Sequence, residues 1–251
     1  MIFFARQLRA HEHSVVSSAY LLNWRGFRKV IIKRFSAVSS NERAALELLA
    51  SSANALPSFV PKLLPSLCSE GQLVYRFING VPLHRYYSVL LQQSDETKFL
   101  FFKKILAMVA FLHNHSAEII HNDLSPANIL VDKYGRLFLI DFGDVNFTGA
   151  NHAVLSRGKP HYASPEQRLG LVTTKSSDIY QLGCILFDIL HGTQYQDRED
   201  IPVMAFADIA WKSIEYQQIV ERFLSEDPLL RYQTVSDCET AIDTLLVSGI
   251  L

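Results

Sequence analysis

Residues 121–130 read HNDLSPANIL, and residues 141–143, a short distance further along the chain, read DFG. These two segments supply an acid, an amide and a second acid, at Asp123, Asn128 and Asp141. Carboxylate and amide oxygens are ligands that Mg²⁺ prefers, and a carboxylate can also accept or orient a proton. A single Asp or Asn in a loop often only stabilises a turn. The combined pattern instead predicts a site that holds a metal and carries out acid–base chemistry.

The elements around the two motifs can be predicted from the spacing of apolar residues. Residues 129–131 and 137–140 are short apolar segments on either side of the turn sequence DKYG, which indicates a β-hairpin. Before the first motif, residues 95–115 carry apolar side chains at helical spacing, which predicts a long helix with one buried face. Further helices are predicted at residues 177–190, 215–224 and 234–247. The C-terminal part of the chain should therefore be mainly helical.

The N-terminal part of the chain shows a different pattern. Short segments rich in β-branched and aromatic residues predict strands at residues 3–8, 19–24, 27–35 and 73–78. Residues 39–50 change to helical spacing and predict one helix among these strands. The predicted fold class is α+β. A small antiparallel β-sheet lobe with one helix, at about residues 1–78, should precede a larger, mainly helical lobe at about residues 79–251, and both should belong to a single domain.

The composition excludes several other classes of protein. Of the 251 residues, 49% are hydrophobic and 20% are charged, which is typical of a folded globular chain. The formal net charge of -1 gives no reason to expect binding to nucleic acid or to an anionic membrane, and no apolar run approaches the ~20 residues that span a bilayer. Cys68, Cys184 and Cys238 are scattered, which is typical of reduced thiols. We therefore expect a cytoplasmic protein, or an effector delivered into another cell.

The two motifs, with their flanking elements, resemble the catalytic loop H-R-D-x-x-x-x-N and the metal-binding D-F-G of protein kinases. The resemblance implies the bilobal kinase fold and a reaction with ATP. Asp123 would be the catalytic base, and Asn128 and Asp141 would hold Mg²⁺ (or Mn²⁺) on the ATP phosphates. Lys33 ends the segment VIIK, which is similar to the kinase V-A-I-K strand whose lysine steadies the α- and β-phosphates. Ile31 replaces the small alanine that lies against adenine and should narrow the nucleotide pocket.

The resemblance also implies an ion-pair partner for this lysine and a hinge for adenine. Glu47 is the preferred partner, because its distance from the next strand resembles the spacing in the family. Glu42 is the alternative, although the sequence SSNE already explains it as part of a helix capping box. Tyr75 resembles the gatekeeper residue before the hinge, where it would close the back pocket, or it is a plain core tyrosine. The hinge whose backbone should pair with adenine consists of Arg76, Phe77 and Ile78.

Three further motifs resemble protein kinases rather than small-molecule kinases. The segment GKPHYASPE, which ends at Glu166, is similar to the end of an activation loop, G-T-P-x-Y-x-x-P-E. The segment SDIYQLG resembles the start of a buried helix whose aspartate, here Asp178, braces the catalytic loop. The segment DPLLR ends at Arg231, which the resemblance pairs with Glu166. Small-molecule kinases of the aminoglycoside and choline type generally lack these motifs. The resemblance is therefore to compact bacterial Ser/Thr kinases.

Three departures from the family pattern concern the site. Residues 10–15 read AHEHSV, so the usual glycine-rich loop is missing, which weakens the expectation of tight ATP binding. Asn122 replaces the arginine that usually binds an activation-loop phosphate, so activation by loop phosphorylation is disfavoured. Ser125 and Lys159 stand where Ser/Thr kinases have a lysine and a threonine that meet. One hypothesis is that Lys159 reaches Asp123 and the γ-phosphate while Ser125 supplies the hydroxyl; the alternative is a surface lysine.

The sequence leaves three functions, which belong to different classes. The first is a protein kinase that transfers the γ-phosphoryl group of ATP to Ser/Thr hydroxyls of a protein substrate, with no nucleic-acid or membrane partner. The second is a pseudokinase that binds a nucleotide or a partner, which the missing glycines and Asn122 favour. The third is a small-molecule kinase, which the three C-terminal motifs disfavour. The first is preferred because the residues for phosphoryl transfer are all present: Lys33, Asp123, Asn128 and Asp141.

Overall fold

A four-stranded antiparallel sheet forms the N-terminal region of the chain. The computed structural model describes residues 2–11, 14–23, 26–35, 41–51, 57–148, 161–192 and 211–248. The strands lie in the order β1-β2-β3-β4 and span Ile2–His11, Ser14–Asn23, Gly26–Phe35 and Gln72–Arg76. Val30 and Ile32 alternate with Ile31 and Lys33 along β3, so the two pairs face opposite sides of the sheet.

One helix, α1 (Asn41–Ser51), packs on the sheet face that carries Lys33. Its buried apolar side chains are Ala45, Leu46 and Leu49, and they belong to the same core cluster as Leu73 and Tyr75 of β4. The register of β3 and β4 pairs Ile31 with Tyr75 and Lys33 with Leu73, so these side chains share one face. The sheet therefore presents a charged and an aromatic side chain to the same helix.

The chain leaves this sheet after Arg76, earlier than the strand predicted to Ile78. The next strand, β5 (Gly80–Pro82), pairs with β7 (Ile129–Asp132), which in turn pairs with β8 (Leu137–Leu139). Gly80 has a steric reason to be glycine, because a Cβ there would lie 2.9 Å from the carbonyl oxygen of Val131. The predicted hairpin between the HNDLSPANIL and DFG motifs is thus confirmed as β7 and β8. Strands β6 (Ile119–Ile120) and β9 (Asn146–Phe147) form a separate two-stranded sheet.

The C-terminal region is mainly helical. Its helices are α2 (Tyr87–Leu90), α3 (Asp95–His113), α4 (Pro165–Arg168), α5 (Lys175–His191), α6 (Ile214–Phe223) and α7 (Val235–Val247), and short 3₁₀ turns span Pro65–Leu67 and Leu83–Arg85. Helix α5 is buried along nearly its whole length and packs against α3 and α6, while α3 also packs against α7. The predicted α+β fold class, with an antiparallel N-terminal sheet and a helical C-terminal region, is confirmed. Among the helices of the described ranges, none combines the length and the apolar character needed to cross a bilayer.

Candidate active site

Helix α5 holds the loop that carries HNDLSPANIL through hydrogen bonds. The buried carboxylate of Asp178 accepts hydrogen bonds from the backbone N–H groups of His121 and Asn122, each at 2.8 Å. Its Oδ2 also lies 2.8 Å from Nε2 of His113 on α3. The bracing role predicted for Asp178 is therefore confirmed. Because Asp178 lies in the first turn of a buried helix, its position is fixed by the core.

Two glutamines add a second brace, which the sequence motifs did not reveal. Gln181 accepts a hydrogen bond from the backbone N–H of Leu124 at 2.8 Å. Gln167 and Gln181 each donate a hydrogen bond of 2.8 Å to the backbone carbonyl of Asn122. The two side chains also contact each other at 2.9 Å. The loop backbone is thus tied to α4 and α5 through neutral, buried amides.

Asn122 has a structural role of its own at the position where the family has arginine. Its backbone φ is 65°, in the left-handed region that Asn adopts more readily than most residues. Its Nδ2 donates a hydrogen bond of 2.9 Å to the carbonyl of Asp144, just after the DFG motif. Asn122 is therefore more than a position without arginine, because its side-chain amide joins the HNDLSPANIL motif to the segment after DFG.

Asp123 and Asn128 are buried and lie in direct contact. The Nδ2 atom of Asn128 donates hydrogen bonds to the carboxylate Oδ2 of Asp123 at 2.7 Å and to the carbonyl oxygen of Asp123 at 2.8 Å. Within the part of the chain that the structure describes, Oδ1 of Asn128 is buried without a hydrogen-bond partner. The carbonyl of Asn128 also accepts a hydrogen bond from the N–H of Ile140, at 2.9 Å, which places the DFG motif beside the loop. The Oδ1 atom of Asn128 is therefore a buried oxygen in a loop whose backbone is bonded to the residue before Asp141.

Asp141 and Lys33 join the C-terminal region to the N-terminal sheet. Lys33 Nζ lies 2.6 Å from Oδ1 of Asp141 and 2.6 Å from Oε2 of Glu42, so one ammonium group binds two carboxylates. Burial lowers the pKa of Lys33, but the two carboxylates outweigh burial and raise the pKa above its ordinary value. Gly143 lies against this cluster, since a Cβ there would be 3.4 Å from Oδ1 of Asp141. Phe142 anchors the motif by packing edge-on to the ring of His121.

The expectation that Glu47 pairs with Lys33 is wrong. Glu47 forms an ion pair of 2.8 Å with Arg43 on the outer face of α1, where its side chain is 57% exposed. Glu42 shares the buried helix face with Ala45, Leu46 and Leu49, as the helical period requires for positions separated by three, four and seven residues. Spacing to the next strand favoured Glu47, whereas the apolar stripe of the helix would have identified Glu42.

Tyr75 contacts the same glutamate from the sheet. Its hydroxyl donates a hydrogen bond of 2.5 Å to Oε1 of Glu42, and both residues are buried. Both oxygens of the Glu42 carboxylate are therefore bound, one by Lys33 and the other by Tyr75. Ile31, the residue expected to narrow the nucleotide pocket, is partly buried on the same sheet face.

Of the remaining predicted site residues, the structure describes Ser125 and the hinge residues but not Lys159. Ser125 is buried in the loop, and its carbonyl accepts the backbone N–H of Asn128 at 2.9 Å. Arg76 ends β4, and Phe77 and Ile78 follow it outside the sheets. Lys159 lies outside the described residues, so its contact with Asp123 stays a prediction. The turn between β1 and β2, where the family has glycines, also lies outside the described residues.

A buried ion pair ties the end of the activation-segment motif to the C-terminal core. Arg231 binds Glu166 through two hydrogen bonds, of 2.8 and 2.9 Å, and Ser177 donates a third to Glu166 at 2.7 Å. Burial raises the pKa of Glu166, but the hydrogen bonds from Arg231 and Ser177 outweigh burial and lower it. The predicted pairing of Glu166 with Arg231 is confirmed. This ion pair fixes Glu166, and the next residue, Gln167, binds the loop backbone at Asn122.

Comparisons with known proteins show which family these motifs belong to. Residues 64–242 match the protein kinase domain family. The chain is 30% identical over 241 residues to the serine/threonine-protein kinase PrkC of Bacillus subtilis, covering 86% of this chain and 36% of that protein. It is 25% identical over 271 residues to the serine/threonine-protein kinase PknD of Chlamydia trachomatis, covering 87% of this chain and 29% of that protein. A probable serine/threonine-protein kinase, PknB of Lactococcus lactis, is 34% identical over 127 residues, covering 49% of this chain and 20% of that protein.

The chain spans no more than 36% of the length of these three curated relatives. The family match, in contrast, covers more than half of this chain and contains both motifs of the candidate site. The three relatives are named as serine/threonine-protein kinases, and the resemblance stated from the motifs is confirmed. The chain is similar to bacterial Ser/Thr kinases of the eukaryotic-like type, and it belongs to the protein kinase family.

Proposed function

We propose that this chain transfers the γ-phosphoryl group of ATP to Ser or Thr hydroxyls of a protein substrate. The observation that carries the proposal is the assembled cluster of Lys33, Glu42 and Asp141, together with the Asp123–Asn128 contact. Phosphoryl transfer depends mainly on positioning and on charge stabilisation, and hydrogen bonds among these side chains hold them in position. The names of the relatives support the choice of Ser/Thr hydroxyls.

Asp123 is the proposed catalytic base. Its carboxylate is oriented by the amide of Asn128, and its backbone belongs to the loop held by Asp178 and the two glutamines. A hydroxyl group within hydrogen-bond reach of this carboxylate could pass its proton to Asp123 as the new P–O bond forms. The buried setting keeps the carboxylate in one orientation, which reduces the entropy cost of reaching the reactive geometry.

Asn128 and Asp141 fit the hard oxygen ligands that Mg²⁺ or Mn²⁺ requires. Asn128 offers a buried Oδ1 with no hydrogen-bond partner among the described residues. The Asp141 side chain is 32% exposed, and the residue before it is bonded to the backbone of Asn128. A metal bound there would offset the negative charge of the ATP phosphates. Lys33 would supply a permanent positive charge to the same phosphates, because its raised pKa keeps it protonated. Phe77 and Ile78, with Arg76, would offer their backbone to adenine.

A nucleotide-binding pseudokinase is the second candidate, and the glycine-free segment AHEHSV favours it. A loop without glycine holds its backbone farther from a phosphate, which weakens binding. The bidentate pair of Glu166 with Arg231 favours a protein kinase over a small-molecule kinase.

Cytoplasmic location stays a prediction based on the sparse, free cysteines, of which Cys184 and Cys238 are buried.

The proposal is tested by transfer of labelled phosphate from γ-labelled ATP with Mg²⁺ and, separately, Mn²⁺. The protein itself and a generic basic protein serve as acceptors for wild type, Asp123→Asn and the control Glu47→Gln. We expect Asp123→Asn to lower transfer about 10²- to 10⁴-fold while nucleotide affinity stays within about threefold, since a general base contributes this much. Glu47→Gln should match wild type, because Glu47 is exposed and contacts Arg43. Nucleotide binding without transfer under either metal would favour the pseudokinase, and equal transfer by Asp123→Asn would contradict the assigned base.

A further inference from the structure

The hydroxyl of Tyr75 has a specific partner in the buried interface between the sheet and α1. It lies 2.5 Å from Oε1 of Glu42, while Lys33 lies 2.6 Å from Oε2 of the same carboxylate. A tyrosine buried without a hydrogen-bond partner would lose free energy relative to phenylalanine, because its hydroxyl would leave water unpaired. The hydrogen bond to Glu42 therefore offsets the cost of burying the Tyr75 hydroxyl.

The two donors to Glu42 come from one rigid support. Lys33 is on β3 and Tyr75 is on the neighbouring strand β4, and the strand register pairs Ile31 with Tyr75 and Lys33 with Leu73. Both side chains therefore leave the same sheet face, at diagonal positions across the ladder. Because the ladder fixes their separation, the two donors can bind both oxygens of a carboxylate only when α1 lies in one orientation.

The polar anchors of α1 in the described residues cluster in its first turn. Asn41 donates a hydrogen bond of 2.9 Å from Nδ2 to the carbonyl of Val145, which follows the DFG motif. Glu42, the next residue, receives Lys33 and Tyr75 from the sheet. One turn of helix is thus attached both to the metal-binding segment and to the N-terminal sheet. A loss at either attachment should change the direction in which Glu42 points.

We propose that Tyr75 is a positioning residue that holds α1 in the orientation in which Glu42 pairs with Lys33. This inference rests on the proposed phosphoryl transfer for its kinetic consequence, but the orientation of α1 can be measured without any reaction. Burial raises the pKa of Tyr75, and the negative charge of Glu42 raises it further, so the hydroxyl keeps the proton that it donates. The role differs from merely closing the pocket behind adenine, for which the ring of Phe would serve as well.

The test is a double-mutant cycle of Tyr75→Phe and Glu42→Gln, read as kcat and KM for ATP. We expect Tyr75→Phe to lower kcat/KM about tenfold, since a hydrogen bond to a charged group is removed. In the Glu42→Gln background the same change should cost less than about twofold, because the carboxylate that Tyr75 orients is already gone. Equal losses in both backgrounds would overturn the proposal, since a purely structural tyrosine acts independently of Glu42.

A matched control and a reaction-free measurement separate the possible failures. Tyr87 also donates a buried hydroxyl to a carboxylate, that of Asp188 at 3.0 Å, far along the chain from Glu42. Tyr87→Phe should show no coupling to Glu42→Gln. Amide hydrogen exchange in α1 should become at least severalfold faster in Tyr75→Phe and stay unchanged in Tyr87→Phe. If wild type transfers no phosphate, the proposed function fails, whereas unchanged exchange in Tyr75→Phe would contradict the positioning role by itself.

Discussion

At the scale of single residues, Glu42 and Glu47 provide a direct comparison within one helix. Glu42 is buried against Lys33, and Glu47 is exposed beside Arg43. We expect Glu42→Gln to lower kcat/KM for ATP about 10- to 100-fold, because a charge-assisted hydrogen bond to Lys33 is lost. Glu47→Gln should change it less than twofold, since exposed ion pairs of this kind contribute little. Steady-state kinetics at several ATP concentrations measure both, and a larger loss for Glu47→Gln would restore the original assignment.

How much of the site could be predicted from sequence depends on how local each signal is. Asp123, Asn128 and Asp141 lie in two short motifs with fixed spacing. The Asp123–Asn128 contact follows from one loop, and one hairpin brings the segment of Asp141 beside that loop. To predict the partner of Lys33, one must know which face of α1 is turned toward the sheet. In the sequence, only the apolar stripe that includes Leu46 indicates that face. The bond from Tyr75 to Glu42 could not be predicted, because it depends on the register between β3 and β4 as well.

At the scale of elements, the pair of Glu166 with Arg231 connects α4 to the segment before α7. All its charges are buried and hydrogen-bonded, with Arg231 also donating to the carbonyls of Ser225 and Ser176. We expect Arg231→Met to lower the free energy of unfolding by about 3–5 kcal/mol, because Glu166 would be left as an uncompensated buried charge. Chemical denaturation followed by circular dichroism measures the change.

The matched control for this change is Arg222→Met. Arg222 is exposed and lies over the ring of Tyr232 at 4.4 Å, an arrangement that contributes at most about 1 kcal/mol. If both substitutions had the same small effect, the pair of Glu166 with Arg231 would contribute no more than a surface contact. A loss of transfer activity in Arg231→Met beyond the loss of folded protein would indicate that α4 also positions Gln167.

The elements themselves were largely predictable, because each long segment has one dominant period. Helix α3 was predicted at residues 95–115 and spans Asp95–His113, and the hairpin of β7 and β8 lies between the two motifs as expected. The prediction of a strand from 19 to 24 was too short, since β2 begins at Ser14. The small side chains of Ser17 and Ser18 hide that strand from a search for apolar alternation, whereas pairing on both sides in the sheet stabilises it.

At the scale of the whole molecule, the loop that carries Asp123 is joined to the rest of the C-terminal region through Asn122, where the family has arginine. The side chain of Asn122 donates to the carbonyl of Asp144, and its backbone carbonyl accepts from the neutral amides of Gln167 and Gln181. Its backbone N–H donates to Asp178, so the charged partner is a carboxylate of the core itself. We therefore expect that treatment with a phosphatase, followed by its removal, changes the transfer rate less than twofold. A kinase that is activated by loop phosphorylation should lose far more of its transfer rate, because the phosphatase removes the phosphate that its arginine binds. Rates before and after treatment, with mass measurement of the phosphate content, provide the check.

A loss of tenfold or more on dephosphorylation would contradict this expectation and would indicate another cation that binds the phosphate. Asn122→Ala supplies the complementary control. It removes the amide that joins the loop to Asp144 and disfavours the positive φ, so we expect it to lower transfer equally in treated and untreated protein.

The double ion pair of Lys33 has a practical consequence for experiments in living cells. Substitution of this lysine is an obvious way to make an inactive version of the protein. Here it would leave Glu42 and Asp141 as two carboxylates with no ammonium between them, so the variant could lose folded protein as well as chemistry. A phenotype seen with such a variant would then have two possible causes, the loss of activity and the loss of folded protein. Asp123→Asn leaves the charges of that cluster unchanged and is the better inactive reference for genetic work.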